Sequence, residues 1–167
     1  MTADVQWRGK YLEIRREGKW EYAARTGDIG AAVIVALTDA GEIVLVEQYR
    51  VPHGCSTIEL PAGLIGDTHD GDTAFAAAAR ELFEETGFKA AAWEDFGAFA
   101  TSPGMSSEMF QLFRATGLVR AGPGGGVAGE DIAVHVVSIA AVPAFLAAAR
   151  KRGMVVDCRL VLALGLI

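Results

Sequence analysis

The apolar positions of this chain fall mostly into short runs of β-forming residues, broken by glycine-rich or acidic turns, and three stretches carry helical character instead. Tyr11–Arg15 and Trp20–Arg25 read as two strands folded around Glu17-Gly18-Lys19. Ala31–Leu37 and Ile43–Gln48 are β-rich, and Asp39-Ala40-Gly41-Glu42 between them is a hairpin signal. Thr57–Leu60 is a shorter run leading into Pro61, and Ala91–Phe99, Met109–Leu118 and Asp131–Ser138 complete the predicted strands. Gly122–Gly129 reads as a mobile loop. The Ala-rich segment Thr73–Ala79 opens a helix, with Asp72 as its expected N-cap and Gly87 where a C-terminal stop belongs. Val142–Arg152 reads as a second helix, with Pro143 near its start, basic residues at its end and Gly153 as its stop. Asp157 is placed to cap a last helix over Cys158–Ile167. Neither an internal repeat nor a domain linker is visible.

Composition narrows the picture. At 167 residues, 51% of them hydrophobic, the chain can fill one sizeable core. A net charge of −6 argues against a general nucleic-acid-binding surface. It leaves room for a small polyanionic substrate, because metal ions can supply local positive charge. Cys55 and Cys158 are too few for a disulfide framework, which favours a reducing compartment and a cytoplasmic location. His53, His69 and His135 are widely separated and form no zinc motif. The N-terminus lacks a long apolar stretch of secretory type, and no run approaches the length that spans a membrane.

The chemistry is concentrated in Arg80-Glu81-Leu82-Phe83-Glu84-Glu85-Thr86-Gly87-Phe88. On a helix, Glu81 and Glu85 lie one turn apart on the same face, where two like charges repel unless a cation sits between them. Oxygen ligands of this kind suit a hard divalent ion such as Mg²⁺. The plain alternative is a solvated acidic helix face, with Arg80 and Glu84 forming a surface ion pair worth only tenths of a kcal/mol.

This string resembles the second half of the Nudix box, Gly-x5-Glu-x7-Arg-Glu-U-x-Glu-Glu-x-Gly-U, where U is bulky and apolar. Arg80, Glu81, Leu82, Glu84, Glu85, Gly87 and Phe88 all match it. The first half departs: the box's earlier Glu falls on Asp72. Counted strictly back, the opening glycine is Gly66. Leu60-Pro61-Ala62-Gly63 resembles the family's usual lead into the box, which makes Gly63 the equivalent glycine and puts three extra residues into the loop Leu64–Gly71. We prefer the second alignment, because exposed loops tolerate insertions best.

The resemblance implies an α/β protein of the α+β kind, the Nudix fold, with a mixed β-sheet sandwiched between helices and an N-terminal β-hairpin. Residues 1–26 are then the N-terminal strands, a dimerisation element, and residues 27–167 the Nudix hydrolase domain. Glu47-Gln48-Tyr49-Arg50, Glu59-Leu60-Pro61-Ala62-Gly63, Pro103 fifteen residues after Phe88, and Glu130-Asp131-Ile132 are similar to the ADP-ribose pyrophosphatase branch. That branch implies Mg²⁺-dependent hydrolysis of a nucleoside diphosphate sugar, ADP-ribose to AMP and ribose 5-phosphate, with two or three ions and Mn²⁺ as an alternative. GDP-mannose is the rival substrate, and a non-catalytic nucleotide-binding module the third reading, against which the intact acids speak.

The resemblance also assigns roles. Glu81 and Glu85 would ligate metal with the backbone carbonyl of Ala62, Glu84 would assist them, and Arg80 would hold the loop and helix in shape. Glu130 is the expected general base, with Glu108 as its rival. Arg50 would bind a phosphate oxygen, its alternative being a surface strand arginine. Trp20 would stack adenine across a homodimer, its alternative being dimer-core packing. Gly104 would permit close substrate approach, or simply shape a turn.

Overall fold

The computed structural model describes residues 3–27, 29–66 and 72–167. Three antiparallel strands come first: β1 (Asp4–Arg8), β2 (Leu12–Glu17) and β3 (Trp20–Arg25), in the order β1-β2-β3. The expected hairpin is present as β2 and β3, and β1 adds a strand that its mixed polar pattern, Asp-Val-Gln-Trp-Arg, does not announce. Ala23 in β3 bonds the segment after Pro103, with its N–H donating to Met105 O at 2.9 Å and its carbonyl accepting from Ser107 N at 3.0 Å. Trp7, Leu12, Ile14 and Trp20 stay exposed on this sheet.

The remaining strands form two mixed four-stranded sheets. One runs β7-β4-β9-β8, from β4 (Ala31–Ala36), β7 (Ala62–Leu64), β8 (Phe88–Ala100) and β9 (Met109–Arg120), with β4 parallel to β9. The other runs β10-β5-β6-β11, from β5 (Glu42–Arg50), β6 (Cys55–Glu59), β10 (Ala133–Ser138) and β11 (Val155–Val156), with β6 parallel to β11. The expected hairpin between Ala31–Leu37 and Ile43–Gln48 is corrected here. The turn exists, closed by Gly41 N donating to Thr38 O at 3.0 Å. Its two strands then part into different sheets, keeping one bridge, Leu37 with Ile43.

Burial explains the separation. Every residue of β4 is buried, because both of its faces are covered. Ala31, Val33 and Val35 face a core shared with Leu45, Ile58 and the helices α2 (Val142–Lys151) and α3 (Cys158–Leu164). Ala32, Ile34 and Ala36 face the opposite way, onto Ala77, Ala78 and Leu82 of α1 (Ala74–Thr86). Helices therefore flank the strands on two sides, as the fold class requires. No helix among the described residues is long and apolar enough to cross a membrane.

The N-cap of α1 is Thr73, whose hydroxyl accepts from Ala76 N at 3.1 Å. Asp72, the expected cap, instead lies 3.6 Å from Arg80 Nη2. Either residue type can cap, and here the Thr73 hydroxyl takes the bond while the Asp72 carboxylate lies beside Arg80. The helix ends at Gly87 in the left-handed region, φ 74°, with its N–H on Phe83 O. A Cβ at Gly87 would also meet Gly122 O at 2.3 Å, so both conformation and space demand glycine here.

Candidate active site

Helix α1 carries the acidic face, and strand β7 lies against it. A Cβ on Gly63 would come within 2.0 Å of the Glu81 carboxyl carbon, so a side chain there would displace that carboxylate. Gly66, by contrast, faces open space. This favours Gly63 as the glycine that opens the box. The remainder of the expected insertion, residues 67–71 with His69, lies outside the described residues.

Glu85 is 4% exposed, and its carboxyl accepts from Ala62 N at 3.1 Å. Burial, helped by the negative charges of Glu81 and Glu130, pushes its carboxyl up from 4.5 to about 8, against the pull of the Ala62 N–H and the Arg50 charge. Metal-free, this side chain is mostly neutral at pH 7. Arg80 Nη1 donates to Glu81 Oε1 at 2.7 Å and to Glu84 Oε2 at 3.2 Å, while its Nη2 donates to Leu64 O at 3.4 Å. One guanidinium thus ties the acidic face to the β7 segment. Among the described residues, no three His, Cys, Asp or Glu side chains are arranged to hold a metal ion together. The donor chemistry fits a hard cation all the same: Glu85 carries a carboxyl that burial keeps from ionising, and Glu81 and Glu130 add negative charge around it.

The Gly-rich loop is fastened to the end of α1. Gly125 N donates to Glu85 O at 2.8 Å, Gly126 N to Glu84 O at 3.0 Å, and Gly122 N to Gly87 O at 3.1 Å. These bonds anchor residues 122–126 of the expected loop and satisfy carbonyls that the helix terminus leaves open. Glu130 follows the loop, exposed, with Oε2 accepting from Val127 N at 3.0 Å.

Arg50, Ala62 and Glu108 line a cavity of about 880 Å³. Within it Arg50 grips buried Glu59 through Nε at 2.7 Å and Nη2 at 2.8 Å. Glu108 is paired with Arg25 of β3 at 2.6 Å, which gives this rival acid a structural partner. Trp20 and Gly104 line a different cavity, of about 630 Å³, where Trp20 is 58% exposed. The expected substrate contacts therefore divide between two places in one chain.

Sequence reasoning assigned no role to Glu59 or Arg159. Arg159 Nη2 reaches Glu59 Oε2 at 3.4 Å, and its Nε donates to Asp157 Oδ2 at 2.6 Å. Burial alone would raise the Glu59 carboxyl. The bonds from Arg50 and Thr57, with the charges of Arg50 and Arg159, overcome that and hold it below its ordinary 4.5. A signal existed in β6: Thr57 and Glu59 are polar at period two beside core-facing Ile58. The partner Arg159 lies 100 residues further on, beyond any local pattern.

Comparison with known proteins follows the same lines. Residues 28–158 match the family described as the NUDIX domain. A methanol dehydrogenase activator of Bacillus methanolicus is 43% identical over 89 residues, 53% of this chain and 46% of that protein. An ADP-ribose pyrophosphatase of Mycobacterium tuberculosis is 43% identical over 93 residues, 56% of this chain and 44% of that protein. The chain thus spans about half the length of the curated relatives it matches. A solved structure described as an ADP compounds hydrolase superposes with a TM-score of 0.68 at 21% identity, covering 87% of this chain and 80% of the other, and shares the fold.

Proposed function

The chain belongs to the Nudix family, and from that premise we propose that it is a pyrophosphohydrolase cleaving ADP-ribose to AMP and ribose 5-phosphate. The observation that carries this reading is Glu85: a buried carboxyl raised to about 8, among other acids, on a helix whose neighbouring strand has glycine where Glu81 needs room. Glu81 and Glu85, with the Ala62 carbonyl, would hold Mg²⁺, or Mn²⁺ in its place, and two or three ions suit the charge of the substrate. When bound, the metal supplies positive charge against the diphosphate and acidifies the attacking water.

The chain's own groups do the rest. Arg80 fixes Glu81 and Glu84. Glu130 accepts a proton from water, its charge being close enough to act on Glu85. Arg50 binds a phosphate oxygen from the cavity wall. Trp20, which lines a different cavity in its own chain, stacks the base in a partner copy, with Gly104 lining the same cavity. The exposed row Trp7, Leu12 and Ile14 supports a homodimer through the N-terminal sheet, residues 1–26, with residues 27–167 as the catalytic unit. The place of action is the cytoplasm, on the reading of Cys55 and Cys158 as free thiols.

The test is a substrate panel with Mg²⁺, scored by product identity. ADP-ribose giving AMP and ribose 5-phosphate is the expected leading activity. A preference for GDP-mannose would move the substrate, and hydrolysis of neither would favour a nucleotide-binding module.

A further inference from the structure

The cavity beside the acidic face has a second charged element on its wall. Glu59 is 2% exposed, and two arginines converge on it from distant parts of the chain. Arg50, at the end of β5, chelates both of its oxygens. Arg159, in the first turn of α3, reaches Oε2 and is itself aimed by Asp157. The two guanidiniums are close enough for the charge of Arg50 to act on Arg159. All four side chains line the same cavity as Ala62.

Two like charges are held together at a partly buried wall, with Glu59 taking donors from both and Asp157 from Arg159. Among the described residues, neither Arg50 nor Arg159 gives its Nη1 group to a protein acceptor. Each guanidinium therefore keeps at least the two N–H donors of Nη1 uncommitted among the described residues, on a planar group whose orientation is already fixed. That geometry suits adjacent phosphate groups, which accept paired N–H donors and gain from preorganised positive charge.

We propose that Arg50 and Arg159 form one diphosphate-recognition unit, to which α3 contributes the second cation, and that Glu59 is the positioning residue that sets their spacing. This rests on the diphosphate reading of the site given above. Glu59 touches no substrate; it acts through the two arginines. Lysine cannot replace Arg159 fully, since an ammonium keeps the charge but lacks the planar fork.

The test separates binding from hydrolysis. ADP and AMP are titrated calorimetrically into the 167-residue chain with divalent ions chelated, so that no turnover occurs. Wild type should prefer ADP over AMP. Arg159→Ala should weaken ADP binding at least about tenfold and narrow that preference, and Arg159→Lys should fall between, about threefold weaker. Glu59→Gln should weaken ADP binding like Arg159→Ala. Thermal melting of each variant checks the fold, and Arg159→Lys, which keeps charge and bulk, serves if Glu59→Gln unfolds. Unchanged ADP affinity in folded Arg159→Ala would overturn the proposal, as would a wild type that binds ADP no better than AMP. A wild type that shows the ADP preference but hydrolyses no ADP-ribose would defeat the proposed activity alone.

Discussion

Glu59 and Glu85 are both buried carboxylates, and they are near neighbours in the architecture: Glu59 directly precedes Leu60-Pro61-Ala62, and the Ala62 N–H bonds Glu85. Desolvation acts on both in the same direction, toward the neutral form. Around Glu59 the chain supplies two guanidiniums and a hydroxyl, and the carboxylate stays ionised. Around Glu85 it supplies the Ala62 N–H, only a minor pull from the Arg50 charge, and more negative charge, and the carboxyl rises to about 8. The difference lies in who provides the counter-charge. Glu59 is completed from within the chain, so it can serve as structure. Glu85 is left to be completed from outside, which is what a cation site requires.

The strongest way to break this comparison is Glu85→Gln. The change keeps size and removes the ionisable group, so turnover with saturating Mg²⁺ should fall at least about 100-fold. The metal-free fold should persist, because a neutral amide resembles the protonated acid already there. Near-normal turnover would remove Glu85 from the site.

A second effect concerns the proton acceptor. Glu130→Gln should lower kcat by about 100-fold with little change in KM, since a base contributes in the transition state. Glu108→Gln should be milder, because that acid is committed to Arg25. Kinetics showing the reverse ranking would move the base to the loop after Pro103.

The smaller effects are in stability, and they carry opposite signs. Glu59 has a lowered folded pKa, so its contribution is present above its unfolded value near 4.5 and is lost as pH falls through the folded value. Glu85 has a raised folded pKa, so the folded state binds more protons than the unfolded between 4.5 and about 8, and metal-free stability falls as pH rises across that window. Thermal melts should show Glu85→Gln gaining at least about 2 °C over wild type at pH 8. Glu59→Gln should lose about 1–3 kcal/mol at pH 7, discounted because Arg50 remains partly solvated. Melting curves in which both variants shift the same way would erase the contrast.

Much of this was legible in the sequence, and the gaps have physical causes. Arg80 through Phe88 declared the helix, its acidic face and its stop, because helix spacing and a glycine cap are local signals. Gly63 was legible from Pro61-Ala62-Gly63, and the Glu81 carboxylate beside it supplies the steric reason. The division of Ala31–Ala36 and Glu42–Arg50 into separate sheets was not, because a turn signal specifies reversal of the chain and says nothing of which edges pair. Arg159 was invisible as a site residue for a similar reason: its partners Glu59 and Arg50 meet it only through the parallel pairing of β11 with β6 and the placement of α3.

The most direct test of the central claim counts protons released when Mg²⁺ binds, by calorimetry at pH 7 in buffers of different ionisation enthalpy. A buried carboxyl held near 8 must lose its proton to become a ligand, so wild type should release about one proton per chain and Glu85→Gln essentially none. Mg²⁺ binding to wild type without proton release, or the same release from Glu85→Gln, would contradict the assignment of Glu85 as the carboxyl that waits for a cation.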